Sequence, residues 1–343
     1  MYTYLLMNTP DPDEEKIRLY CDQSVDHFDW LVERGVPFND TMCKGKEVLQ
    51  MTDECLIWSG NEEVYPFREK AKPAPRGHKV AQVGELGGAK MMECLTAKAN
   101  DLGVRIVYDA QAHHLVREDG RVVGVSYRVF GEEQGAVRAR KGVILAAGQF
   151  TENEDLLKEY LPEILHEGYT RQFTPNDDGA GHQLGKAAGG VLKHMDGALV
   201  TAAFYPPESH IKGILVNKEG KRYVAEDSYH SRSSIFTTQQ PDRTGWLIVD
   251  EATYSAEPPH WGAYPLVDAF ETVEEMEKAL GIPEGALQET IRSYNEHAAK
   301  GEDPEFHKGR KWLQPLDHPP YAALDASVGA ATYMAFTLSL IHI

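Results

Sequence analysis

The sequence predicts a mixed chain, α/β in its first part and α+β in its second, on three observations. The stretch "ELGGAKMMECLTAKANDLGVRIVYD" reads as a helix stopped by Gly103 and followed by the β-branched run 104–108, which is half of a β/α unit. Next, "LVREDGRVVGVSY" and "VRARKGVILAAG" read as an antiparallel meander whose last strand is buried and ends on small residues. Beyond Leu199 the pattern changes to a hairpin, a strand and two amphipathic helices, as expected of a second domain.

Each element follows from local chemistry. In "DPDEEKIRLYCDQSVDHFDWLVERGVPF", Asp11 is the expected N-cap, Pro12 the first helical residue and Glu14 the partner in a capping-box-like pattern. Ile17, Tyr20, Val25, Phe28 and Leu31 keep helical spacing until Gly35 ends it. Residues 36–83, with "AKPAPRGH", read as a long loop. Met92, Leu95, Ala99 and Leu102 mark the next helix, and Asp119-Gly120 marks a tight hairpin, with a second turn near "GEEQG". After "KGVILAAGQFTEN", "NEDLLKEYLPEI" reads as a short helix. "TPNDDGAGHQLGKAAGG" sets acidic residues and glycines before a small-residue helix with an electropositive N-terminus. The later segments are the hairpin "ILVNKEGKRYVAED", the strand "GWLIVD", and the helices "TVEEMEKAL" and "PEGALQETIRSYNEHAAKG".

The bulk numbers narrow the partners. A chain of 343 residues, 42% hydrophobic, can fill two cores. Its net charge of −18 disfavours nucleic acid and anionic membrane, so any anionic ligand must be held locally. No stretch approaches the roughly 20 apolar residues of a membrane helix, and residues at the N-terminus do not show a basic-then-apolar signal pattern, so neither insertion nor export is expected. Cys21, Cys43, Cys55 and Cys94 have neither metal-ligand spacing nor disulfide density, and read as reduced thiols of a cytoplasmic protein. The sequence has no H-E-x-x-H metal motif and no G-x-S-x-G nucleophile elbow, so no metal site is expected.

Ala146-Ala147-Gly148 raises the functional question. A strand end stripped of side chains is where an open α/β sheet lets backbone amides touch a ligand, although the same residues would also let a helix pack closely. The stretches "GVILAAGQFTEN", "NDDGAGHQLGKAAGG", "GILVNKEGKRYVAED" and "PPYAAL…FTL", with "PAPRGH" and "REDGRVVGV", decide between them. In that order, across almost the whole chain, they resemble FAD-dependent oxidoreductases of the fumarate reductase/succinate dehydrogenase flavoprotein superfamily, in the branch that includes 3-ketosteroid dehydrogenases.

That resemblance implies an FAD-binding three-layer β/α domain with an inserted α+β substrate-capping domain. Residues 1–199 would form the FAD domain, 200–321 the cap, and 322–338 the return to the FAD domain. It further implies that Ala146, Ala147 and Gly148 lie against FAD, that Asp178, Gly179 and Gly181 form a loop under the flavin end, and that Gly87, Gly88 and Ala112 lie near the dinucleotide. Asp178 can equally be a plain helix N-cap.

The sequence departs from that pattern at both ends. The strand, G-x-G-x-x-G turn and helix of a first βαβ unit are missing, and "FTLSLIHI" stands where the family continues "FTLGGL". Residues 339–343 are expected to be a non-native tail encoded by a library adaptor. The chain is therefore expected to be a fragment that binds FAD weakly or not at all and is itself inactive.

The chemistry implied for the parent protein is FAD-linked dehydrogenation or reduction of a C–C bond next to a carbonyl, with a small-molecule substrate and an unidentified electron acceptor. In fumarate reductases an arginine shortly after the "GKRY" hairpin donates the proton and histidines near the C-terminal "T-x-G-G" hold a carboxylate. Here His230 and Phe336 stand at those places, which favours a large neutral ketone of the steroid type. Tyr229 is then expected as the proton base, His230 as its tuning partner and Arg232 as an orienting charge; all three also suit a polar hairpin of the cap. Tyr205, Tyr321 and Tyr333 are further candidates that suit a core equally well. Two rivals stand beside this reading: an enoate reductase acting on a small carboxylate, and a truncated, cofactor-free, non-enzymatic body.

Overall fold

The structure, a computed structural model, describes residues 1–45, 51–58, 60–130, 134–172, 174, 176–202, 207–256 and 264–342. Two compact units share the chain: Met1–Val104 with Ala203–Ala331, and Arg105–Ala202 with Thr332–Ile343. Residues 1–104, expected to belong with 105–199, cluster instead with 203–331.

The first unit opens with α1 (Tyr2–Asn8) and α2 (Glu14–Glu33). The N-cap of α2 is Asp13, whose carboxylate accepts from the Lys16 amide at 3.1 Å. The expected cap, Asp11, sits in the left-handed region at φ +46° and caps nothing. At the other end Gly35, at φ +86°, stops the helix as expected. The loop that follows carries the paired strands β1 (Leu56–Ile57) and β2 (Gly77–His78) around α3 (Phe67–Lys70), and leads to α4 (Gly87–Asp101).

The second unit begins with the meander β3 (Ala110–Glu118), β4 (Arg121–Val129) and β5 (Gln134–Arg138). Asp119 and Gly120, at φ +49° and +81°, form the two-residue turn that the sequence predicts, the hairpin geometry that matches strand twist. Most of the second expected turn, near "GEEQG", lies outside the described residues. Next come α5 (Glu154–Tyr160), capped by Asn153, then β6 (Tyr169–Arg171), α6 (Ala180–Ala187) and β7 (Val191–Ala202).

Two expected strands do not form. Residues 104–108 and 142–146 run without sheet partners, and Ile106 and Ile144 are 40% and 91% exposed. β propensity expresses fit to a half-buried pleated surface, and among the described residues these runs have no neighbouring strand to supply one.

The first unit resumes with β8 (Ile214–Asn217), α7 (His230–Thr238), β9 (Gly245–Asp250), β10 (Leu266–Phe270), α8 (Val273–Leu280), α9 (Ala286–Ala298) and β11 (Tyr321–Asp325). An antiparallel sheet in the order β10-β11-β9-β8 packs Ile214, Val216 and Ile248 against Met276, Leu287 and Ile291 of the two helices. The hairpin after β8 turns where the Asn217 side chain accepts from the amides of Glu219 and Lys221. Its second arm makes only the Val216–Arg222 bridge. Arg222 leaves the strand path for a buried ion cluster, bound to both oxygens of Glu226 (2.8 and 3.1 Å) and of Asp303 (2.9 and 3.0 Å), with Lys308 3.2 Å from Glu226.

β12 (Tyr333–His342) belongs to the second unit, parallel to β6 and antiparallel to β7. Its register slips between Leu338 and Leu340, where the expected non-native tail begins. The core of this unit gathers Phe150, Leu157, Leu161, Ile164, Met195 and Ala335. No helix among the described residues is long and apolar enough to cross a membrane.

Candidate functional site

The second unit holds a cavity of about 500 Å³, in the range of small-molecule sites, lined by β3, by Asn153 and Asp178, and by α6 along its length. Ala112 lies on the strand side, and Asp178 and Ala180 on the helix side. The register of β3 shifts between Ala112 and His114, so His113 occupies a β-bulge, a feature that re-aims a side chain. His113 lines the cavity, and its Nε2 is buried without a hydrogen-bond partner among the described residues. A roomy groove ending on a helix N-terminus, with a buried nitrogen still to be satisfied, fits the nucleotide part of a dinucleotide. Nothing in the sequence distinguishes His113, because strand periodicity does not show a bulge.

Asp178 stands one residue before Gly179, the N-cap of α6: its carboxylate accepts from the Ala180 amide at 2.8 Å, and its carbonyl accepts from Asn153 Nδ2 at 2.8 Å. Asp178 is therefore not the N-cap that the sequence allowed, although it lines the cavity. Gly179 carries the turn at φ +74°, where a side chain would be strained.

The bare patches 146–148 and 179–181 touch each other. A Cβ added at Gly181 would lie 3.1 Å from the Cβ of Ala147, and one at Gly148 would lie 2.7 Å from Asp177 Oδ1. Gly148 and Gly181 are thus small because protein packs on them, while Ala146, Ala147 and Gly148 remain solvent-exposed. Sequence reasoning missed Asp177, which joins the patches: its carboxylate accepts from the amides of Thr174 (2.6 Å) and Gln149 (3.4 Å) and from Gln149 Nε2 (3.1 Å). Burial alone would raise that carboxyl, but these hydrogen bonds outweigh it and hold the group below its ordinary value. Behind the patch, Thr337 accepts from the Phe150 amide at 3.1 Å and meets Thr151 hydroxyl to hydroxyl at 3.0 Å. Phe336, its neighbour, is half-buried.

The other expected site residues lie in the first unit. Gly87 and Gly88 open α4, with Gly87 near Val80 and open space beside Gly88. Tyr229 and His230 sit at the start of α7, their rings 4.0 Å apart. The Tyr229 amide donates to Asn61 Oδ1 at 2.7 Å, tying α7 to the loop before α3. Burial pushes the Tyr229 phenol up, against the opposing hydrogen bond with Ser231 and with a smaller contribution from the charge of Glu62, so it is a neutral proton donor near pH 7. Arg232 donates to the Tyr65 carbonyl (3.3 Å) and Ser228 Oγ (3.0 Å) and lies over the rings of Phe67 and Phe236. It is committed to the protein.

Of the further tyrosines, Tyr333 is fully buried against Tyr169 and Tyr321 packs on the sheet core, while Tyr205 lies outside the described residues. Asp250, Asp317 and His318 come within metal-ligand spacing of one another. Asp250 is already bonded to Thr253 and to the His318 amide, as a structural turn requires.

The chain belongs to the FAD binding domain family, which matches residues 2–336. Its cofactor is FAD. Among solved structures, the 3-ketosteroid-Δ4-(5α)-dehydrogenase of Rhodococcus jostii RHA1, in complex with 4-androstene-3,17-dione, is 38% identical with a TM-score of 0.90, covering 99% of this chain and 71% of that one. Among curated relatives, the NADH:acrylate oxidoreductase of Vibrio harveyi is 28% identical over 88% of this chain and 29% of its own length. The 4-oxocyclohex-2-ene-1-carboxylate 5-dehydrogenase of Sinomonas cyclohexanicum is 30% identical over 71% of this chain and 49% of its own length. The chain spans about half or less of those two relatives.

Proposed function

We propose that the chain is part of an FAD-dependent oxidoreductase that dehydrogenates or reduces a C–C bond adjacent to a carbonyl, with a neutral, steroid-like ketone as substrate. The finer architecture belongs to the same proposal: a three-layer FAD-binding domain with an inserted capping domain. The observation that carries the substrate class is the state of Arg232. The arginine beside the Tyr229–His230 pair is spent on Tyr65, Ser228 and two aromatic rings. It is not poised to clamp a carboxylate, and aromatic rings are the surface that a neutral ring system prefers.

FAD, when bound, supplies the hydride acceptor or donor. Ala112, His113, Asp178 and Gly179 would hold its nucleotide, with Ala146, Ala147 and Gly148 approaching it along bare backbone. Tyr229 handles the accompanying proton. As a neutral phenol it donates during reduction; during dehydrogenation it acts as base only when ionised, so that rate should rise with pH through the alkaline range. His230 lies against its ring and Arg232 orients the turn that carries both.

The test is turnover by FAD-supplied protein with an artificial one-electron acceptor, comparing a 3-ketosteroid with a small enoate. Ketone turnover that falls about 100-fold or more in Tyr229→Phe supports the reading. Selective turnover of the enoate supports the rival acrylate- or fumarate-type reductase. No flavin uptake and no turnover of either supports the cofactor-free fragment.

A further inference from the structure

The cavity lined by β3 and α6 has to hold an anion in a chain of net charge −18. Among the described residues that line it there is a carboxylate, Asp178, but no lysine or arginine. A helix N-terminus would ordinarily make up the difference. Here that end is partly spent: the Ala180 amide donates to Asp178 Oδ1 at 2.8 Å, and the Gly179 amide to the Gln149 carbonyl at 3.1 Å. What remains is a pair of imidazoles. Neighbours on a regular strand face opposite ways, but the register slip between Ala112 and His114 lets His113 and His114 line the same cavity, their ring centroids 6.3 Å apart. His113 Nε2 is buried without a hydrogen-bond partner among the described residues, and His114 is exposed.

We propose that His113 and His114 are a proton-dependent clamp for the cofactor's pyrophosphate, so that FAD binding takes up protons and weakens as pH rises. The proposal rests on the reading of this cavity as the nucleotide site. Imidazole is the side chain whose charge ordinarily changes between about pH 5 and 8, and an anion beside it favours the charged form. Binding is reciprocal: whatever FAD does to the proton affinity of the imidazoles, their protonation does to the affinity for FAD. The pyrophosphate itself stays ionised across that range, so the pH dependence belongs to the protein. On the elements packed around the pair, the charged or titratable groups are Tyr127 and Arg128 on β4, Glu152 and Glu154 beside Asn153, Asp178 before α6, and His182 and Lys186 on α6. Of these, Asp178 alone lines the cavity, and the His182 ring meets that of Phe150. The two histidines are therefore the groups that can turn the lining from negative to positive.

The test is an NMR titration of the 343-residue chain, labelled with ¹⁵N and with ¹³C-histidine, against FAD at several values between about pH 5.5 and 8.5. The dissociation constant should rise across that range by about tenfold for each imidazole. The His113 and His114 resonances, assigned by their loss in His113→Gln and His114→Gln, should titrate at higher pH with FAD than without it. The double variant should bind with one weak, pH-independent affinity. His114→Lys, a change at an exposed position that keeps the charge, should restore affinity at the alkaline end and guards against misfolding of the double variant. Adenosine, which has no phosphate, should bind equally at every pH. An FAD affinity that does not change with pH, or a change that survives in the double variant, overturns the clamp and leaves the cavity as the nucleotide site. Absence of any FAD-induced shift at residues 111–115 and 178–184 at every pH overturns the nucleotide reading of the cavity, and the clamp with it.

Discussion

Two stretches of nearly the same character meet opposite fates in this molecule. "GWLIVD" forms β9, paired on both sides and buried at every position, with Ile248 at 0% exposure. "GVILAA", residues 142–147, forms no strand and leaves Ile144 at 91% exposure. Both begin with glycine and continue in apolar, β-branched residues. What separates them is partners: β9 has β8 and β11 beside it and two helices above it, and 142–147 has no sheet neighbour among the described residues. A strand is a property of a sheet, and the run supplies only one side of the contract.

The contrast can be broken at several points. The largest effect is expected at Arg222, which is 2% exposed at its side chain and holds two buried carboxylates. Arg222→Ala strands Glu226 and Asp303 and should cost about 3–5 kcal/mol in urea unfolding. Next is Ile248→Ala, which opens a cavity in the sheet core and should cost about 2–5 kcal/mol, whereas Ile144→Ala should stay within about 0.5 kcal/mol. Equal losses at the two isoleucines would remove the difference between the regions.

A smaller effect is expected at Glu277, which is 3% exposed and whose carboxylate accepts from the amides of Gly285, Leu287 and Gln288 at the start of α9. Burial would raise it, but those hydrogen bonds win and depress its titration in the fold. A depressed carboxyl contributes stability at pH values above its unfolded titration and loses it as pH falls through the folded one. Glu277→Gln should therefore cost about 1–3 kcal/mol at pH 7 and narrow its gap from wild type below pH 4, measured by thermal melts across pH. Smallest of all, backbone amides at 142–147 should exchange with deuterium within seconds, while those of β9 stay protected at the level of global unfolding.

The same reasoning shows what was legible in the sequence. Signals that act within a few residues were readable: the Asp119-Gly120 turn, the stop at Gly35, and the small-residue helix after Asp178. Asp11 and Asp13 both precede the first long helix, and only the backbone angle at Asp11 decides between them. The chemistry of the site was readable as composition, bare backbone at 146–148 and 178–181, but not as geometry. Gly148 and Gly181 serve contacts with Asp177 and Ala147, which no spacing rule reveals. Asn61 sits in a loop that offers no periodicity, and its contact exists only because the fold brings Tyr229, 168 residues later, to the Asn61 side chain. His113 was hidden for a related reason, since a bulge turns a residue that alternation would aim elsewhere.

The central claim is that the cavity beside Ala112, His113 and Asp178 is where the flavin nucleotide rests. Hydrogen–deuterium exchange of the chain with and without millimolar FAD tests it most directly. Slowed exchange concentrated at residues 111–115 and 178–184 is the expected result. Unchanged exchange in both segments, or protection confined to other parts of the chain, would contradict it.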